Sequence, residues 1–121
     1  RFAASVESSA HDNFKEVIVN VKEGDTQLTL KELAPVRLVK NKFYNDVQEL
    51  YAKCPTKEEL VALLGRARAK RGMFEGDLVE GELEIGQMAG LINEIQTVTE
   101  IINTMIAEFK QAQIEIGQLQ F

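Results

Sequence analysis

Residues 74–92, FEGDLVEGELEIGQMAGLI, contain three evenly spaced glycines at Gly76, Gly81 and Gly86. Each glycine costs a helix interior roughly 1 kcal/mol relative to alanine, so three of them in this span oppose a continuous helix. We therefore predict an irregular loop. Because glycine lets backbone approach another group closely, we expect this loop to pack against another segment of the chain or against a ligand.

The composition of the chain around this loop is that of a single soluble globular domain. Its 121 residues are 45% hydrophobic and 27% charged, which fits neither a disordered chain nor a membrane protein. The net charge is −5, and the local basic cluster consists of Arg66, Arg68, Lys70 and Arg71. Nucleic-acid binding needs several cations on an extended face, so we do not expect it. The basic run is either a solvated helix face or a contact for an anionic partner.

The cysteine content indicates the cellular compartment of the protein, and the N-terminal residues bear on whether the chain is part of a longer protein. The single cysteine, Cys54, cannot form an internal disulfide, and no signal peptide is visible, so we expect a reducing cytoplasm. Cys54 precedes Pro55 with no histidine nearby in sequence, which favours an inert residue at a loop or helix end. The chain begins with Arg1 and Phe2 and lacks an initiator methionine, so we expect it to be part of something longer.

Upstream of the loop, hydrophobic spacing predicts two helices and one strand. A first helix carries Phe14 and Ile18 and stops at Gly24. Residues 25–30, DTQLTL, alternate polar and apolar side chains as a short strand does, with no second convincing strand to pair with. From Pro35 to Lys53 the pattern predicts one long amphipathic helix.

Two further helices are predicted on either side of the loop. Thr56 and Glu59 have the spacing of a capping box, and the helix they start either breaks at Gly65 or continues to Arg71. After the loop, a helix beginning at Met88 has an apolar stripe that we expect to be core. The stripe consists of Leu91, Ile92, Ile95, Val98, Ile102, Met105, Ile106 and Phe109.

Four stretches together resemble a known family. RFAASVESSAHDNFK, KNKFYNDVQELY, LLGRARAKRGMFEGDL and EGELEIGQMAGLI are similar, in order and separation, to the C-terminal third of the flavin-dependent enoyl-ACP reductases. That family shares a superfamily with the nitronate monooxygenases. The resemblance runs from Arg1 to about Phe109.

The resemblance implies a fold and a cofactor. The chain would be the C-terminal segment of a TIM (β/α)8 barrel flavoprotein, one single segment over residues 1–121, mainly α with one short strand and a helical insertion at about 35–71. Such barrels hold FMN at the C-terminal ends of their strands, and their last strand ends in Gly-Thr-Arg-Phe. Arg1 and Phe2 would therefore be cofactor-binding residues at the exit of strand eight.

The resemblance also assigns roles to the glycine-spaced loop. Gly86 and Gln87 would lie beside the flavin as cofactor-binding residues, and Glu84 and Ile85 would lie in the nicotinamide or acyl pocket. The family's catalytic histidine lies upstream, so no catalytic residue is expected in this segment. His11 instead matches the start of the helix after strand eight, where we expect a packed or hydrogen-bonded histidine.

The acidic residues of the loop raise the question of a metal site. Asp77, Glu80, Glu82 and Glu84 alternate with apolar residues and lack a ligand-loop pattern, which favours a solvated acidic loop and no metal.

Three functions remain open at this point. The first is the C-terminal segment of an FMN-dependent, NAD(P)H-using enoyl-ACP reductase of fatty-acid synthesis, inactive as an isolated chain. The second is a nitronate monooxygenase of the same fold, and the third is a free-standing helical interaction module. The expected partners are an acyl carrier protein or a small-molecule substrate, the remainder of the barrel and further copies in a homo-oligomer, with no membrane. The barrel would leave an apolar surface of this chain exposed.

Overall fold

The computed structural model describes residues 1–119, which are mainly helical with one small sheet. Within this part of the chain, no helix combines the length and the apolar character that crossing a membrane requires. Short 3-10 turns cover Phe2–Ala4 and Gln87–Leu91. The helices and strands, in chain order, are α1 Asp12–Asn20, β1 Thr26–Thr29, β2 Val36–Val39, α2 Lys42–Tyr51, α3 Lys57–Leu64, α4 Arg68–Met73 and α5 Val98–Gly117.

The prediction of one short strand and of a helix from Pro35 is wrong, because residues 36–39 form a second strand. β2 pairs antiparallel with β1, so the strand predicted at 25–30 has its partner within the chain. Val36 and Val39 are β-branched and fit a paired strand better than a helix, and a short apolar run does not distinguish the two. The helix begins only after Asn41, whose side chain accepts a hydrogen bond from the Tyr44 amide.

Capping boxes fix the first residues of α3 and α5. Thr56 and Glu59 exchange side-chain and backbone hydrogen bonds as predicted, and Thr97 and Glu100 form the same arrangement before α5. The Thr97 hydroxyl and amide hold the pKa of Glu100 below its usual value, which stabilises the carboxylate form that caps the helix. α3 then ends at Gly65, in the left-handed region at φ +65°, so the predicted helix breaks there.

Two hydrophobic clusters hold the described chain together. The first joins α1 to the loop before the second 3-10 turn, and its buried members are Ala4, Ala10, Phe14, Ile18, Val21, Leu83, Ile85 and Ala89. The second joins the sheet to α2 and α3, and its buried members are Leu30, Leu38, Phe43, Val47 and Leu60.

The last helix differs from its prediction in start and in burial. It begins at Val98 rather than Met88, because the Thr97 capping box follows an irregular stretch. Ile92, Ile95 and Val98 of the predicted stripe are half-buried, but its other residues are exposed, with Phe109 62% exposed. The expected exposed apolar surface is therefore present, and within residues 1–119 the expected burial of the stripe is wrong from Ile102 to Phe109 and at Leu91.

Candidate functional site

The glycine-spaced loop packs closely on α1 at Gly76. This residue has φ +72°, and a Cβ added there would lie 2.6 Å from ring atoms of His11. The His11 ring in turn accepts a hydrogen bond at Nδ1 from the Asn13 amide, 3.1 Å away, as the cap of α1. The prediction of a hydrogen-bonded histidine at a helix start is therefore confirmed.

Gly81 makes the second close approach, to α4. A Cβ at Gly81 would overlap the carbonyl oxygen of Asp77 and lie 2.5 Å from the Cα of Gly72. A Cβ at Gly72 would in turn lie 2.7 Å from the carbonyl oxygen of Glu82. At both Gly76 and Gly81, the group that requires a glycine is therefore another segment of this chain.

Gly86 is different, because it faces open space. No heavy atom lies within 4 Å of the position that its Cβ would take, and its φ of −71° suits any residue. Nothing in residues 1–119 therefore requires glycine at this position. The open side leaves room for a flat group to approach the backbone, and the assignment of Gly86 to a flavin site stays a prediction.

Gln87 lies beside a cavity of about 620 Å³, a volume within the range of small-molecule sites. One wall is the end of the sheet, where the Arg37 guanidinium donates to the Thr26 carbonyl oxygen at 3.0 Å and to its hydroxyl at 3.3 Å. The facing wall is the second 3-10 turn, with exposed Met88 and Leu91. The cavity therefore offers one cation, one amide and an apolar surface, together with the exposed carboxylate of Glu23.

Arg1 and Phe2, the other predicted cofactor-binding residues, lie elsewhere on the surface. The Arg1 guanidinium donates to both carboxylate oxygens of Glu108 on α5, at 3.1 and 3.2 Å, and lines a separate cavity of about 160 Å³. Leu91 is a wall of both cavities. Phe2 packs against the apolar stripe of α5 instead. The described residues thus do not bring Arg1, Phe2 and Gln87 into one pocket.

The predicted substrate-pocket residues have opposite environments. Ile85 is 4% exposed and belongs to the first hydrophobic cluster, and its amide donates to the carbonyl oxygen of Arg37 at 3.2 Å. Glu84 is exposed, and its backbone forms an isolated antiparallel β-bridge with Leu38. Only Glu84 therefore offers its side chain to solvent, and the substrate role of both residues stays a prediction.

The acidic run is only partly the solvated loop that we predicted. Asp77 accepts hydrogen bonds from the amides of Glu80 and Val79 and from the Arg71 guanidinium. These hydrogen bonds lower the pKa of Asp77, and the bond from the Glu80 amide has the largest effect. Glu80 pairs with Lys42 and Arg68. These two carboxylates therefore stabilise the loop itself.

Glu82 contradicts the prediction, because it is buried. Burial, and to a smaller extent the negative charge of Glu84, raise the pKa of its carboxyl to about 7 against the opposing positive charge of Arg68. Gly72 packs against its backbone and holds it inside. In the part of the chain that the structure describes, no cluster of histidine, cysteine or acidic side chains has the geometry of a metal site.

Most of the basic run is engaged internally. Arg68 is half-buried, donates to the carbonyl oxygens of Leu63 and Leu64, and places its guanidinium 4.4 Å from the centre of the Phe43 ring. Arg71 pairs with Asp77 at 2.6 Å, and Lys70 pairs with Glu75 at 3.3 Å. Arg68 is therefore a structural residue rather than part of a solvated face.

Sequence reasoning missed Arg37, the cation of the larger cavity. The helix wrongly predicted from Pro35 was identified by its apolar residues, and Arg37 was given no role in it. The signal that could have found it is a lone arginine among the apolar residues of VRLV, since a charge inside a short paired strand needs a reason to be there.

Comparisons with solved structures agree with the family resemblance of the sequence motifs. No protein-family model and no curated protein sequence matches the chain. Among solved structures, FabK from Thermotoga maritima matches at 37% identity and a TM-score of 0.81, over 96% of this chain and 37% of FabK. A single-substitution variant of the same FabK matches at 35% identity and a TM-score of 0.77, over 96% of this chain and 34% of the variant.

The chain therefore spans about a third of the length of the FabK structures that it matches. FabK is an enoyl-ACP reductase, and a match of this extent fits the C-terminal segment that the four stretches imply. The barrel itself is not part of the described residues, which form helices and a two-stranded sheet. The predicted resemblance is thus confirmed: this chain is similar in sequence and in fold to one third of an enoyl-ACP reductase of the FabK type.

Proposed function

We propose that this chain forms the C-terminal part of an FMN-dependent enoyl-ACP reductase that oxidises NAD(P)H and acts in fatty-acid synthesis. The observation that carries the proposal is the FabK match, which joins 35–37% identity to a TM-score of 0.77–0.81 over 96% of the chain. Sequence identity at this level, together with the shared backbone, supports a common chemistry better than fold alone does.

The described residues fit a bound flavin on one side of the loop. A Cβ at Gly86 would meet nothing within 4 Å, so a planar ring has access to the backbone there. The amide of Gln87 can donate to or accept from a polar edge of that ring. FMN would supply the hydride chemistry, and this chain would orient the ring and exclude water from one face.

The nitronate monooxygenase of the same fold is the competing function. The FabK match supports the reductase. The two functions differ in substrate, which is an enoyl thioester for the reductase and a nitronate for the monooxygenase. The experiment uses the full-length protein under anaerobic conditions and follows the flavin absorbance. NADH or NADPH should bleach the flavin, and an enoyl thioester should then restore its colour. Bleaching by a nitronate, with no response to the enoyl thioester, would overturn the proposal in favour of the monooxygenase.

The free-standing module is tested by the mass of the natural protein. An intact mass near the 13.6 kDa of this chain would favour the module, and a much larger mass would favour the enzyme. Titration of FMN into the isolated chain adds a second criterion. We expect no quenching of flavin fluorescence at micromolar protein, because the phosphate-binding backbone of the resembled family lies upstream of Arg1.

A further inference from the structure

Arg37 lines the larger cavity and has no acidic partner in the described chain; Arg66, the other arginine without one, is an exposed residue between α3 and α4. Arg1, Arg68 and Arg71 each lie within 4 Å of a carboxylate oxygen. The Arg37 side chain, in residues 1–119, donates only to Thr26, and both of those hydrogen bonds use the same nitrogen, Nη1. Its Nη2 and Nε are therefore available to a group from outside this part of the chain.

The position of Arg37 fixes the orientation of its guanidinium. β2 holds its backbone in the ladder with β1, and the bonds to Thr26 fix one end of a half-buried guanidinium. A guanidinium fixed in this way loses little conformational freedom when its remaining N–H groups bind a planar or tetrahedral oxyanion. Such charge-assisted, bidentate contacts are the strong class of hydrogen bonds.

The cavity around Arg37 is large enough for more than a single ion. Its volume of about 620 Å³ suits a molecule of cofactor size, the amide of Gln87 adds a donor, and Met88 and Leu91 offer an apolar wall. The carboxylate on its rim, Glu23, belongs to an exposed turn and can remain in water. Charge and shape therefore favour a ligand with an oxyanion at one end and an apolar or planar body.

We propose that this cavity binds a phosphate-bearing small molecule, whose phosphate contacts the free edge of the Arg37 guanidinium while its body packs on Met88 and Leu91. The choice of phosphate over other oxyanions rests on the proposed function. A reductase of that type meets two phosphate-bearing ligands, the adenosine 2′-phosphate of NADPH and the phosphopantetheine of an acyl carrier. Both present the same tetrahedral dianion to the arginine.

The test measures binding of ligand fragments to the full-length protein by calorimetry, without turnover. Adenosine 2′-monophosphate is compared with adenosine, and 4′-phosphopantetheine with pantetheine. We expect one phosphorylated fragment to bind at least about tenfold more tightly than its unphosphorylated form, and Arg37→Gln to remove that preference. The fragment that shows the preference identifies the source of the phosphate. Absence of a preference with both fragments, or a preference that survives in Arg37→Gln, would overturn the proposal.

A second pair of variants covers the case in which Arg37→Gln disturbs the sheet. Met88 is exposed on the cavity wall, so Met88→Glu adds a negative charge without touching the hydrogen bonds to Thr26. It should weaken the phosphorylated fragment several-fold relative to Met88→Gln, which has a similar size and no charge. Lys57→Gln removes an exposed cation at the start of α3, away from the cavity, and should leave both affinities unchanged. Equal affinities in Met88→Glu and Met88→Gln would also overturn the proposal.

The binding test and the test of the proposed function fail independently. A protein that prefers the phosphorylated fragment through Arg37 but never reduces an enoyl thioester would keep this inference and lose the proposed function. A working reductase with no phosphate preference in this cavity would do the reverse.

Discussion

The second hydrophobic cluster and the apolar stripe of α5 differ in their exposure to solvent. Phe43 and Val47 in α2 are 0% exposed, because the sheet on one side and α3 on the other enclose them. On α5, Ile101 is buried near the anchored first turn, whereas the apolar residues from Ile102 to Phe109 remain open. Both helices have amphipathic sequences, so the difference comes from what the described chain places opposite them.

This difference teaches that periodicity predicts a helix and its apolar face, but not the partner that covers it. The buried members of the second cluster all lie within a short stretch of chain, between Leu30 and Leu60. The stripe of α5 has Phe2 beside it, and its residues from Ile102 to Phe109 remain exposed. The same substitution should therefore cost much stability in the second cluster and little on α5.

Removing an aromatic ring from each region tests the comparison most directly. Phe43→Ala should lower the free energy of unfolding by about 3–5 kcal/mol, because it empties a fully buried site and removes the ring beneath Arg68. Phe109→Ala is the matched control, and it should change the stability of this chain by no more than about 0.5 kcal/mol. Denaturant unfolding of both variants measures the two values. Equal losses would show that α5 is packed as tightly as α2.

Two glycines of the loop provide the next test. Gly81→Ala should destabilise the fold by about 1–3 kcal/mol, because its Cβ would overlap Asp77 and Gly72 in a packed region. Gly86→Ala meets nothing within 4 Å and should leave the melting temperature unchanged.

Variants of Gly86 and Gln87 separate packing from cofactor binding in the full-length protein. There, Gly86→Val should reduce bound FMN and turnover while the melting temperature of the apoprotein is retained, and Gln87→Ala should mainly reduce turnover. Unchanged turnover per folded molecule in both variants would remove Gly86 and Gln87 from the proposed site.

Glu82 predicts a pH dependence within the packed region. Its pKa is raised to about 7 in the folded chain, whereas an unfolded glutamate titrates near 4.5, so the folded state favours the protonated form. Above pH 7 the buried carboxylate opposes folding, and this penalty is relieved as the pH falls from about 7 towards 4.5. Glu82→Gln should therefore stabilise the chain by roughly 1–2 kcal/mol at pH 8 and by little at pH 5. A pH-independent difference would contradict this assignment. Glu84→Gln, which removes a like charge, should give a smaller gain.

The smallest effect is expected where the N-terminus meets α5. Arg1 and Glu108 form a two-bond ion pair on the surface, and exposed pairs of this kind contribute less than about 1 kcal/mol. A double-mutant cycle with Arg1→Gln and Glu108→Gln isolates the coupling energy. We expect it to fall when salt is raised, because the pair is accessible to ions. A large, salt-independent coupling would mean that α5 is held more firmly than its exposure indicates.

The parts of the fold that could be predicted from the sequence are those with short-range causes. The capping box at Thr56 and the histidine at the start of α1 depend on residues within a few positions, and both are confirmed. The strand at residues 36–39 depends on pairing with β1, and its apolar pattern alone suited a helix equally well. Glu82 is buried where the backbones of Gly72 and Gly81 approach each other closely, and no local pattern reveals that approach.

The candidate site shows the same limit. The resemblance placed Gly86 and Gln87 on the loop that borders the larger cavity, but it could not supply Arg37, whose position follows from the strand pairing. Conversely, it grouped Arg1 and Phe2 with those residues, and the described chain puts them against α5. A site is defined by the distances between its residues, whereas sequence motifs identify those residues only individually.

The anchored first turn of α5 has a mechanical consequence. The Val98 amide donates to the carboxylate of Glu7, the Val6 amide donates to the carbonyl oxygen of Gln96, and Ile101 is buried, so the first turn of the helix is attached to the N-terminal segment, with the exposed Arg1–Glu108 ion pair as a further contact at mid-helix. Twenty residues at about 1.5 Å per residue give a rod about 30 Å long. A tilt of only about 5° at the fixed end displaces the other end by roughly 3 Å, nearly the diameter of a water molecule. A small change of angle at the first turn would therefore be amplified along the length of α5.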